Sequence, residues 1–104
     1  MIQFSYEPYE VKQFFNGVLV VYVWDKLNDN TVPKIWENVE FFDLKGKKMW
    51  TVNGMEAWQY WDKNVDCFVG TREYEGRLQL TAFSGNSFDV DMKTGFVTHF
   101  EFHK

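Results

Sequence analysis

The 104-residue chain is poor in the residue types that most often carry chemistry: one cysteine, two histidines and two arginines. The single Cys67 rules out an intrachain disulfide and any metal site that needs two thiolates. It sits in Asp66-Cys67-Phe68-Val69-Gly70, a strand-like stretch where a lone cysteine acts as a small buried hydrophobe. The histidines, His99 and His103, form no H-x-E, H-x-x-x-H or Cys-His pair, so no zinc site is expected. The arginines are Arg72 and Arg77, and the basic residues are scattered along a chain of net charge −4. Phosphate neutralisation needs clustered cations, so nucleic acid is not expected as a partner. Long apolar runs are also missing. The longest, residues 18–24, is about a third of a membrane span. Met1-Ile2-Gln3-Phe4-Ser5-Tyr6-Glu7 has neither the basic start nor the apolar run of a signal peptide. The expectation is a cytoplasmic, reduced protein with no membrane partner.

Catalytic patterns are weak. Ser84 or Ser87 can be written beside His99 and Asp91 as a triad, but no nucleophile elbow or glycine-rich oxyanion loop accompanies them. Asp89-Val90-Asp91-Met92-Lys93-Thr94-Gly95 invites a calcium reading and fails it, with Lys93 at the fifth position of the loop pattern. Asp91 reads better as a turn cap, and Asp89 as a solvated strand residue. No enzyme activity, cofactor or metal is expected.

What the chain does have is a phrase used twice. Asn38-Val39-Glu40-Phe41-Phe42-Asp43-Leu44-Lys45-Gly46 is echoed by Asn86-Ser87-Phe88-Asp89-Val90-Asp91-Met92-Lys93-Thr94-Gly95. Each runs from apolar residues into Asp-apolar-Lys, turns at glycine and leaves through a second apolar stretch. That is strand, tight turn, strand. Glycine supplies the positive φ, and the Asp carboxylate can accept turn amides. Gly46 and Gly95 are therefore expected at positive φ or in bulges.

The rest of the chain reads the same way. Residues 9–15 lead into an Asn16-Gly17 turn signal. Residues 17–24 are β-branched and aromatic on both faces, which predicts a central strand covered on both sides. Residues 25–34 form a polar loop. Residues 66–74 and 77–83 pair across Glu75-Gly76. Leu78, Leu80 and Ala82 share one face of their strand, opposite Gln79 and Thr81. In the last strand Phe96, Phe100 and Phe102 are read as one face, with His99 and Glu101 on the polar face. The whole is a single domain over 1–104: all-β, a mainly antiparallel meander of about seven strands, open to a curled sheet or half-barrel. Residues 54–64 fit no strand and read as a short helical turn or an aromatic loop.

Aromatics make up 20% of the chain. Each buried ring hides on the order of 150–250 Å², and a chain this short needs such groups to form a core. Most are therefore structural. The exception in pattern is Trp58-Gln59-Tyr60-Trp61-Asp62. Trp58 and Trp61, three apart, could line the sheet. Equally, Trp58, Tyr60 and Trp61 could form a binding surface, since Trp and Tyr are enriched at interface hot spots. Asp25, Asp29, Glu37, Glu40 and Asp62 are the acidic companions, suited to a basic partner, though the plain reading of such acids is solvated surface.

The patterns Asp-x-x-Gly-x-x-x-Trp from Asp43 to Trp50, Tyr74-Glu75-Gly76-Arg77-Leu78, and the ending Phe-Asp-Val-Asp-x-x-Thr-Gly-x-Val-x-x-x-x-Phe-x-Lys resemble two things. One is the blade hairpin of quinoprotein-type β-propellers. A propeller needs at least four blades, so that likeness concerns local hairpins. The other, spanning residues 17–104, is the class of small β-sheet immunity proteins of bacterial polymorphic toxin and contact-dependent growth inhibition systems. That resemblance implies binding and neutralisation of a cognate toxin, a basic nuclease-type domain by charge, with Asp25, Asp29, Trp58, Tyr60, Trp61 and Asp62 near the contact. The alternative is a carbohydrate or small-ligand module that stacks its ligand on Trp58, Tyr60 and Trp61.

Overall fold

A computed structural model of the chain describes residues 2–22, 35–55 and 67–102. It is all-β. The first sheet contains β1 (Pro8–Phe14), β2 (Gly17–Tyr22), β3 (Val39–Asp43) and β4 (Lys48–Thr51). The second contains β5 (Phe68–Tyr74), β6 (Arg77–Ala82), β7 (Asn86–Val90) and β8 (Val97–Phe102). Both are antiparallel and run in sequence order, and one 3-10 turn, Ile35–Glu37, precedes β3. The expected meander thus divides into two meanders of four strands.

One core cluster draws on the inner faces of both sheets. Leu19, Val21, Val39, Phe41 and Trp50 come from the first, and Phe68, Leu78, Leu80, Phe88 and Val97 from the second. Phe68 and Phe88 meet edge to face at 5.7 Å. Full burial of such side chains stabilises by about 1.5–3 kcal/mol each. The alternation at Leu78, Leu80 and Ala82 holds, all three being buried in this core. Cys67, just before β5, is also buried.

β2 is central in its sheet and covered on both sides, as its composition predicts. Its outward residues Val20 and Tyr22 pack with Phe42 beneath Ile2 and Tyr6 of the N-terminal segment.

The repeated phrase builds both Asp turns. Lys45 N and Lys47 N donate to Asp43 Oδ1, each at 2.9 Å. Lys93 N donates to Asp91 Oδ1 at 2.8 Å. Gly46 and Gly95 take φ of +90° and +77°. Gly95 is required twice over, because a Cβ there would also meet the Trp50 ring at 2.5 Å. The Trp50 indole donates to Met92 O at 2.8 Å, and Asn53 exchanges backbone bonds with Gly95 and Val97. The first sheet is thereby fastened to the second phrase's turn.

Two local expectations are corrected. The first turn is not Asn16-Gly17 but Phe15-Asn16, with Phe14 paired to Gly17. Gly17 is the first residue of β2, as the expected strand from residue 17 has it, and a Cβ there would strike the Phe41 ring and the Phe42 carbonyl. At the start of β8 the expected faces do not hold, and the side chains of Phe100, Glu101 and Phe102 lie outside the described ones. Val97 is buried, His99 stands opposite Phe88 with the rings 5.4 Å apart, and Phe96 is 44% exposed, lying over Gly54.

Candidate partner-binding surface

The β1–β2 and β3–β4 turns leave the same end of the first sheet, because Gly17 pairs with both Phe14 and Asp43. Each turn presents an apolar side chain to solvent. Phe15 is 54% exposed and Leu44 64%. Phe15 does so at φ +54°. The first position of a two-residue hairpin loop needs positive φ, which Gly, Asn or Asp tolerate. A larger side chain pays about 1–2 kcal/mol there. The register explains why the turn lies at this place. Sliding it onto Asn16-Gly17 would turn every β2 side chain to the opposite face. The register does not require phenylalanine. Phe15 rests edge-on against buried Phe14, with ring centroids 4.3 Å apart. The exposed Lys45 and Lys47 flank Leu44. The amides of Lys47 and Lys45 hold the Asp43 carboxyl below its ordinary range.

A second cluster lies on the outer face of the same sheet, built around Glu40. Glu40 is only 4% exposed and not the solvated acid expected from the sequence. Tyr22 donates its hydroxyl to Glu40 Oε1 at 2.5 Å, and Ser5 Oγ donates to the same oxygen at 3.2 Å. Lys48 Nζ lies 3.4 Å from Oε2. Ser5 N donates to Tyr22 Oη, and Tyr6 packs edge-on against the Tyr22 ring. Burial, then the bond to Glu40, pushes the Tyr22 hydroxyl up to about 12. The carboxylate is filled by donors from its own chain and fixes the N-terminal segment to the sheet. Its chemistry is that of a structural anchor.

On the second sheet, Asp89 is not a simple solvated residue. It accepts from Gln79 Nε2 at 3.1 Å and Arg77 Nη1 at 3.4 Å. Sequence reasoning passed over this network, although the Glu75-Gly76 turn already sets Arg72 opposite Gln79.

The residues expected at the contact, Asp25, Asp29, Trp58, Tyr60, Trp61 and Asp62, lie outside the described residues. Met55, at the start of the expected aromatic loop, is buried in the core. Among the described residues no group of three or more His, Cys, Asp or Glu could hold a metal ion. Nor is any helix there long and apolar enough to cross a membrane. Comparison with known proteins gives no match to a family model, a curated protein or a solved structure.

Proposed function

We propose that this chain is an immunity protein that binds a cognate bacterial toxin domain and neutralises it by occupancy, without chemistry of its own. The observation that carries the reading is Phe15, a bulky aromatic displayed at a turn position that disfavours it. Backbone strain retained at a solvent-facing residue points to use, and aromatic anchors dominate the energy of protein interfaces. Leu44, in the other turn at the same end of the sheet, adds a second exposed apolar side chain. The resemblance of the two Asp turns and the C-terminal phrase to toxin-immunity proteins supplies the kind of partner. The net charge of −4 favours encounter with a basic toxin domain, of nuclease type.

Affinity capture from the native host, read by mass spectrometry, tests this. The expected catch is one basic toxin domain, held in stoichiometric amount. Failure to retain any toxin, together with an oligosaccharide that quenches the tryptophan fluorescence, would replace this reading with a ligand-binding module.

A further inference from the structure

Both arginines of the chain lie on the outer face of the second sheet, and among the described residues a carboxylate pairs with Arg77 but not with Arg72. The β5–β6 hairpin sets Arg72 opposite Gln79 and Tyr74 opposite Arg77, and the β6–β7 pairing sets Gln79 opposite Asp89. Leu78 and Leu80 point to the core, so Gln79 points outward, yet it is only 2% exposed. Its Nε2 donates to Asp89, and its Oε1 accepts from Arg72 Nη2 at 2.9 Å. Asp89, when ionised, accepts only, which fixes the amide with its oxygen toward Arg72. The guanidinium carbon stands 5.1 Å from the centroid of the Tyr74 ring. Asp89 forms its salt bridge with Arg77. Arg72 receives a neutral acceptor, and among the described residues no carboxylate pairs with it.

We propose that Arg72, held by Gln79 and Tyr74, is a recognition residue for a single side-chain carboxylate of a protein partner. A guanidinium fork matches a carboxylate in two parallel bonds, and one nitrogen held by Gln79 leaves the rest of the fork to accept it at reduced entropic cost. Tyr74, 44% exposed, gives the apolar flank. Glutamine at 79 donates to Asp89 and offers Arg72 a neutral acceptor, so the guanidinium keeps its charge uncompensated at this position. A phosphate dianion fits less well. One cation is available, and Asp89 stands on the same face, two strands away. The inference does not rest on the toxin reading, because the surface lies on the other sheet from Phe15 and serves any acidic partner segment.

The test is arginine Nε–Hε NMR on the 15N-labelled chain, whose only such signals are those of Arg72 and Arg77. The probes are N-acetyl-glutamic acid α-amide, its glutamine counterpart and inorganic phosphate, at constant ionic strength. The glutamate probe should move the Arg72 signal saturably and leave Arg77 in place, and the glutamine probe should move neither. Arg72→Lys, an exposed change that keeps the charge, should weaken binding of the glutamate probe, read from backbone amide shifts, roughly tenfold through loss of a charge-assisted bond. Gln79→Leu, which releases the Arg72 guanidinium from its held orientation, should weaken binding of the glutamate probe and leave the Arg77 signal in place. If that variant does not fold, the Arg72→Lys comparison still decides. Parallel, non-saturating movement of both signals, unchanged binding in Arg72→Lys, or tighter binding of phosphate than of the glutamate probe would overturn the proposal.

Discussion

Asn38 pairs with Phe68 as one strand pairs with another. Phe68 N donates to Asn38 Oδ1 at 3.1 Å, and Asn38 Nδ2 donates to Phe68 O at 2.7 Å. The same Nδ2 reaches Tyr22 O at 3.2 Å, and Tyr22 N donates to Asn38 O. A single buried amide thus joins β2 of the first sheet to the start of β5 in the second. Asn38→Ala strands the backbone groups of Phe68 away from water, which should cost about 3 kcal/mol. Urea unfolding followed by tryptophan fluorescence measures it. A loss below about 1 kcal/mol, the size of an ordinary surface change or less, would remove Asn38 from this role.

The contact of Trp50 with Gly95 gives a prediction with its own control. Gly95 and Gly76 share φ +77°, but a Cβ on Gly76 meets nothing within 4 Å. Gly76→Ala should therefore cost only the backbone strain, about 1–2 kcal/mol. Gly95→Ala should cost that and a further 1–3 kcal/mol or so for displacing the indole. Equal midpoints in thermal melts of the two variants would show that Trp50 is not packed against the turn.

Tyr22 gives a prediction about alkali. Its hydroxyl ionises near 10.0 when the chain is unfolded and about 12 in the fold. Between those values the folded state holds a proton that the unfolded state has released, so stability falls as pH rises. The contribution is whole below pH 10 and lost above 12. Stability measured across this window should fall more steeply for the parent than for Tyr22→Phe. Identical slopes would mean that neither burial nor the bond to Glu40 holds the proton.

The two Asp turns could be read in the sequence because each is local: a carboxylate two residues from the amide it accepts, and a glycine at the tip. The Leu78, Leu80 and Ala82 face could be read because a paired strand alternates strictly. The reversal at the start of β8 could not. Phe96 is the larger apolar residue, but the pairing of Val97 with Val90 and of His99 with Phe88 turns those two residues to the core side. Glu40 looked like surface because nothing local shows that Ser5 and Tyr22 close over it from 35 and 18 residues away. Phe15 was hidden by a stronger signal, the Asn16-Gly17 pair. The turn is displaced by one residue because only that register keeps the apolar face of β2 inward.

Phe15→Asn separates stability from binding. Asparagine tolerates positive φ, so the variant should gain about 1 kcal/mol in unfolding free energy. If Phe15 is an interface anchor, the same change should cost about 2 kcal/mol of binding, roughly thirtyfold in Kd. A variant that is both less stable and equally tight would contradict the strain argument and the anchor role together.

The most direct measurement is growth rescue in cells co-expressing the chain with the toxin domain encoded beside it. The parent chain should restore growth, and the more stable Phe15→Asn variant, expressed at the same level, should restore it poorly. No rescue by the folded parent, or full rescue by Phe15→Asn, would contradict the claim that this chain neutralises a toxin through the exposed tip of its first sheet.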